Sequence, residues 1–322
     1  MSVNLSLKYL VIRCCDLVAI PALYFSAIVL KLVRRGNLAN MPFSKRILLH
    51  VGVFPIRDHY YEPLFDSRRL RRPLSDVRSL PGIEWNEAAQ LELLQQFHFA
   101  AELRMIPFDK PETHAYYFNN SAFGLGDAEF LYNIIRLKKP RRIVEIGSGF
   151  STLMAIEAIR ANYGEDGQYQ SEHICIEPYE MPWLEQAPVR VIRQRVEETD
   201  PTLFSKLEEN DILFIDSSHM IRPQGDVLFE YLEILPTLQA GVIVHIHDIF
   251  SPRDYPANWV VEEVRFWNEQ YLLEAFLSHN RDWKIIGAVN FLHHSHFNAL
   301  SKVCPRLVQS SNPGSFYMQR VS

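Results

Sequence analysis

The most constraining feature is one stretch, Val144-Glu145-Ile146-Gly147-Ser148-Gly149-Phe150-Ser151-Thr152. An apolar run, RRIVEIG at 141–147, ends in two glycines, and a helical pattern over 152–162 follows directly. Glycine lets the backbone turn sharply and approach a neighbour closely. A strand passing through such a turn into a helix opens a βαβ unit, with the turn at the carboxyl end of the strand. Apolar runs at 173–178, 189–192, 211–216, 241–248, 283–291 and 315–321 read as further strands. Helices are expected over 86–103, 129–137, 202–209, 227–235 (closed by Pro236) and 259–277. Near-continuous apolar strands separated by helices mean a sheet covered on both faces, so the fold class is α/β with a doubly wound sheet.

The turn has the order E-x-G-x-G. It departs from the dinucleotide fingerprint because the sixth position is Thr152, where that fingerprint has Gly or Ala. A ligand without a pyrophosphate fits better. Glu177 closes the second strand, ICIEP, where an acid in doubly wound sheets accepts hydrogen bonds from ribose hydroxyls. Glu145, Gly147, Gly149 and Glu177 together describe a nucleoside site.

A second set of candidates closes the fourth and fifth strands. Asp216 ends DILFID and Asp248 ends GVIVHIHD. On neighbouring strands their ends would lie about 5 Å apart, and two carboxylates facing one point repel unless a cation or proton sits between them. Oxygen ligands favour Mg²⁺, Ca²⁺ or Mn²⁺, and the imidazoles of His219 and His247 shift the preference toward Mn²⁺. A histidine near its ordinary pKa can act as a general base, which makes His219 a catalytic candidate beside Asp216. His245 shares a strand face with His247 but lies deeper, and reads as a core group. Residues 249–256, stiffened by Pro252 and Pro256, read as a substrate wall, and His293, His294 and His296 as solvated loop residues.

VEIGSGFST (144–152), ICIEP (174–178), FIDSSH (214–219) and GVIVHIHDIF (241–250) together resemble the class I S-adenosylmethionine-dependent methyltransferases, over roughly residues 119–322. The resemblance implies a Rossmann-like seven-stranded sheet of methyltransferase type, with SFYMQRV as an antiparallel last strand. It implies S-adenosylmethionine as methyl donor, held by Glu145, Gly147, Ser148, Gly149 and Glu177, with Asp127 in the lead-in to the cofactor. Within that class the strand-end acids look like those of the cation-dependent O-methyltransferases. That likeness implies a divalent cation, Mg or Mn, on Asp216, Asp248 and a third group, here His247, with His219 as base. The implied reaction is O-methylation of a saccharide, glycolipid or other small hydroxyl acceptor. Two alternatives stand beside it: a non-methylating, hydroxylase-like relative, and a membrane-associated binding protein without turnover.

Charge is unevenly spread. Residues 1–80 carry 13 Lys+Arg against 5 Asp+Glu, residues 81–322 carry 20 against 33, and the net charge is −5. An acidic body argues against nucleic acid as a partner. Residues 9–35 are strongly apolar, but the uncharged run Leu17–Leu30 is shorter than the roughly 20 residues a spanning helix needs. Pro21 is expected to bend or break that helix. The run ends in Lys31, Arg34 and Arg35, which suits an anchor on an anionic membrane surface; packing on the body or on a second subunit of a homo-oligomer is the other reading. Cys14, Cys15, Cys175 and Cys304 show no metal-binding or disulfide spacing and suit a reducing compartment. The expected organisation is 1–36 as anchor, 37–118 as an extension packing on the core, and 119–322 as the main domain. The expected location is cytoplasmic, peripheral on the inner face of a membrane.

Overall fold

The computed structural model describes residues 2–322, with side chains from Lys8 onward. The chain forms two compact units, Met1–Arg71 and Arg72–Ser322. Residues 37–71 lie in the first unit and residues 72–118 in the second.

The first unit holds α1 (Ser2–Arg35) and α2 (Pro42–Val51). α1 runs unbroken through Pro21, contrary to expectation. A proline removes one donor and crowds one carbonyl, a local cost that the long helical flanks absorb.

The second unit is built on strands β1 (Arg142–Ile146), β2 (Glu172–Ile176), β3 (Arg190–Ile192), β4 (Ile212–Ile215), β5 (Ile243–Ile246), β6 (Trp283–Ala288) and β7 (Phe316–Arg320). Their order in the sheet is β3-β2-β1-β4-β5-β7-β6. β7 is antiparallel to both neighbours, and the pairings among β1 to β5 are parallel. The helices are α3 (Glu87–Gln95), α4 (Ala100–Met105), α5 (Asp127–Lys138), α6 (Phe150–Glu165), α7 (Asp226–Phe229), α8 (Glu269–Leu277), α9 (Val289–Ser295) and α10 (Phe297–Val303). Alternate strand residues feed two apolar cores. Ile143, Ile212, Phe214 and Ile243 face one with α5 and α6, while Val144, Leu213, Ile215 and Val244 face the other with α7 and α8.

Three of the expected elements differ for a packing reason. The helix over 86–103 is interrupted between α3 and α4. Residues two apart point to opposite sides of a helix, and unwinding lets both Phe97 and Phe99 turn inward, against the Phe130 ring at 5.3 Å and the Arg136 guanidinium at 4.6 Å. The helix over 259–277 survives only as a wide turn, Asn258–Glu262, and α8. Between them Arg265 lies against the rings of Trp259 (4.5 Å) and Trp267 (4.4 Å). β6 stops at Ala288, whose N–H donates to Gln90 Oε1 at 2.7 Å. His293 and His294 beyond it are helical, and His293 is buried where solvent was expected.

Candidate active site

The turn after β1 is locked in place. Gly147 has φ of +77°, and a Cβ there would lie 2.0 Å from the Asp216 carbonyl oxygen, so only glycine fits. Gly147 N–H donates to the Ile176 carbonyl at 3.0 Å. At Gly149 a Cβ would meet only Met181 Cε at 3.7 Å, leaving open space before the first turn of α6. The Ser148 hydroxyl is buried with no hydrogen-bond partner among the described residues. Glu177 is 9% exposed; its Oε1 accepts from the N–H groups of Tyr179 and Glu180, both at 2.9 Å, while Oε2 has only the long 3.4 Å bond from Ser148 N–H. An open glycine turn, an orphaned hydroxyl and a carboxylate oxygen with capacity to spare fit a nucleoside bearing hydroxyls.

Glu145 is placed differently from the sequence expectation. Its carboxylate is 2% exposed and accepts from the Ser151 hydroxyl (2.5 Å) and the Thr152 hydroxyl (2.6 Å), with His173 Nε2 at 3.1 Å. It ties α6 to the sheet and faces away from the open side of the turn. Cys175 lies 3.5 Å from the same carboxylate, and burial pushes its thiol up, so the thiol stays protonated.

Asp127 also departs from its expected place. It accepts from Gly314 N–H (2.9 Å) and Ser315 N–H (2.7 Å), bracing the turn before β7. It lines a cavity of about 550 Å³ together with His247, Asp248 and Trp259, away from the glycine turn. Asn120, Asn258 and Asn312 contribute amides to this cavity, and Phe250 and Pro256, from the expected substrate wall, line it too.

β4 and β5 are parallel neighbours with Ile215 opposite Ile246, which sets Asp216 opposite His247, with Asp248 one residue further along. Ligand atoms of Asp216, His219 and Asp248 all lie within 4.8 Å of one another. His219 Nε2 is 3.3 Å from Asp216 Oδ1 and 3.6 Å from Asp248 Oδ2. His247 Nδ1 is 3.5 Å from Asp216 Oδ1 and 3.6 Å from Asp248 Oδ1, while its Nε2 faces Asp127 at 3.6 Å. The converging trio therefore contains His219 where the sequence pointed to His247. Both His219 (φ +58°) and Asp248 (φ +59°) adopt left-handed backbone that non-glycine residues rarely take, a strain that clusters at functional sites.

The group that aims His219 was missed by sequence reasoning. Glu269, at the start of α8, accepts from Nδ1 at 2.8 Å, and Tyr231 OH reaches the same carboxylate at 3.2 Å. A carboxylate only accepts, so Nδ1 carries hydrogen and Nε2 points at the two aspartates. Trp267 packs on the ring at 4.3 Å. One signal was available: Glu269, Gln270 and Glu274 sit among Leu273 and Leu277 on the buried face of α8.

Charge is concentrated here. Burial alone would lower the pKa of His219, but hydrogen bonds to Asp216 and Glu269 outweigh it and push it up to about 10. Burial opposes ionisation of Asp216, yet the charge of His247 and the bond from His219 hold its carboxyl well below the usual range. Asp248 is raised, by burial and by the proximity of Asp216, against the pull of His247. His245 is fully buried, stacked on Tyr317 at 4.0 Å and bonded to Ser315 Oγ at 2.8 Å; it is the core group expected.

Residues 144–249 match the model of a family described as "Methyltransferase domain". Those residues form a methyltransferase domain. A protein of Archaeoglobus fulgidus, described as "Uncharacterized protein", is 32% identical over 177 residues, which is 50% of this chain and 76% of the relative. Among solved structures, a TDP-rhamnose 3'-O-methyltransferase of calicheamicin biosynthesis is 14% identical, covering 60% of this chain and 76% of that one, with a TM-score of 0.34. A Plasmodium falciparum protein described as a protein-L-isoaspartate O-methyltransferase, in complex with S-adenosyl-L-homocysteine, is 12% identical, covering 50% of this chain and 77% of that one, with a TM-score of 0.27. The chain carries the seven-stranded α/β sheet expected of a methyltransferase fold.

Proposed function

We propose that this methyltransferase methylates a hydroxyl oxygen of a saccharide or similarly polyhydroxylated acceptor, with a divalent cation at Asp216, His219 and Asp248. The observation that carries this reading is the convergence of those three side chains beside the polar cavity. Two carboxylates and an imidazole whose Nε2 is aimed at both form a donor set for Mg²⁺ or Mn²⁺. A cation bound there would offset the paired negative charge and lower the pKa of a hydroxyl beside it. S-adenosylmethionine, when bound, supplies the activated methyl group.

The remaining roles belong to the chain. Gly147, Ser148, Gly149 and Glu177 hold the nucleoside end of the donor. Glu269 keeps the imidazole of His219 oriented, so that Nε2 serves as ligand or, in its neutral form, receives the acceptor's proton. Amides of Asn120, Asn258 and Asn312 suit hydroxyl groups, and Trp259 supplies an apolar face for a sugar ring.

The test is calorimetry with S-adenosylhomocysteine, followed by labelled methyl transfer to a panel of sugars and glycolipids with EDTA, then with Mg²⁺ or Mn²⁺ restored. Turnover lost in EDTA and regained with metal is expected. Full turnover in EDTA would remove the cation and leave His219 as a metal-free base.

A further inference from the structure

The methyl-transfer chemistry uses nothing from the first unit, whose surface is unlike that of a body facing water. The stretch Lys8–Arg35 of α1 is 28 residues long, with mean hydropathy of 1.9 in its apolar window and none of that window buried. At about 1.5 Å per residue it rises about 42 Å, against roughly 30 Å of bilayer hydrocarbon. Val18, Tyr24 and Phe25 are each more than two-thirds exposed. On α2, Phe43, Ile47 and Val51 recur at i, i+4 and i+8 and are exposed as well. Tyr60 and Tyr61 pack together at 4.0 Å between ring centres with nearly all of their surface open, in the manner of tyrosines at a membrane interface. Apolar surface this extensive marks an interaction site.

Charge identifies what covers it. At the carboxyl end of α1 lies an open cleft of about 600 Å³. Leu30, Ile56 and Leu64 give it an apolar wall, Lys31, Arg35 and Arg57 a cationic one, and Asp58 is the one acid among its lining residues. The cleft is braced: Arg34 and Arg57 both reach Glu62 Oε1 at 3.1 Å, and Arg34 lies over the Phe54 ring at 5.0 Å. Lys31 and Arg35 have no acid partner among the described residues. Arg68, Arg69, Arg71 and Arg72 continue the positive charge. A second copy of the chain would present the same cations and be repelled. Free phosphate would satisfy the cations but leave the apolar wall wet.

We propose that residues 8–71 dock on an anionic lipid bilayer, with α1 among the acyl chains and the cleft of Leu30, Lys31, Arg35 and Arg57 taking a lipid phosphate at headgroup level. This does not depend on the reading of the active site.

The full chain, purified in mild detergent, is diluted onto vesicles of phosphatidylcholine with and without phosphatidylglycerol and floated in high and low salt. It floats with both in high salt, because α1 is inserted. In low salt it reaches half-binding at about tenfold less lipid when phosphatidylglycerol is present. The double variant Lys31→Glu with Arg35→Glu loses this preference, while still floating with phosphatidylcholine and binding S-adenosylhomocysteine as the parent does. A chain that stays with the soluble fraction in both vesicle types overturns the proposal. So does a preference for phosphatidylglycerol that survives the double variant, or one abolished by inorganic phosphate at matched ionic strength.

Discussion

At the ends of β1 and β2, the carboxylates of Glu145 and Glu177 are met by hydroxyls and backbone N–H groups. At the ends of β4 and β5, those of Asp216 and Asp248 are met by the imidazoles of His219 and His247. The first pair is held by hydroxyls, backbone N–H groups and His173, with Glu177 Oε2 left nearly free. The second is held by charge against charge in a buried place, where each proton is set by its neighbours. One half is therefore largely finished by hydrogen bonds within the chain, while in the other both carboxylates face imidazoles. On the proposed function, the donor half is a rigid cradle and the acceptor half a charge-regulated one.

The sharpest way to break this comparison is to remove an acid from the regulated half. Asp216→Ala or Asp248→Ala should each lower methyl transfer by about a thousandfold or more, with the S-adenosylhomocysteine Kd in calorimetry shifted only a few-fold. If binding weakened as far as turnover fell, the halves would not be separate.

Next in size is a pH effect on the metal-free chain. The pKa of His219 is raised from 6.5 to about 10 on folding. A raised imidazole contributes stability that is fully present below pH 6.5 and is lost as pH rises through about 10. Urea unfolding should thus show stability falling by a few kcal/mol across that window, at about 1.4 kcal/mol for each tenfold gain in proton affinity on folding. His219→Gln should flatten the slope; an unchanged slope would place the charge elsewhere.

On the finished half, Glu145→Ala should lower unfolding stability by about 3 kcal/mol, because it strands two buried hydroxyls and His173. Glu177→Ala should act mainly on ligand, weakening S-adenosylhomocysteine by about tenfold, roughly 1.4 kcal/mol, with divalent-cation binding unchanged.

Much of this was legible in the sequence where the determinants are local. The glycine turn and the apolar strands specify themselves, and acids ending adjacent parallel strands come near one another once the sheet forms. The role of Glu145 follows from strand alternation: it shares a face with Ile143, toward α6, and so cannot also point off the strand's end. What stayed hidden is tertiary. The break between α3 and α4 depends on Phe130 and Arg136 being nearby, the break before α8 on Arg265 between two tryptophans, and the aim of His219 on Glu269, fifty positions downstream. The continuity of α1 through Pro21 also stayed hidden, since proline's local penalty says little about a helix with long flanks.

Gly147 rests directly on the carbonyl of Asp216, so backbone touches backbone where the two halves adjoin. The span between the cradle and the strand-end acids is then a fixed dimension of the chassis, with no side chain available to adjust it. Lineages of this enzyme could reshape the loops around Asn258 and Asn312 to accept new molecules while the reach of the methyl group stayed constant.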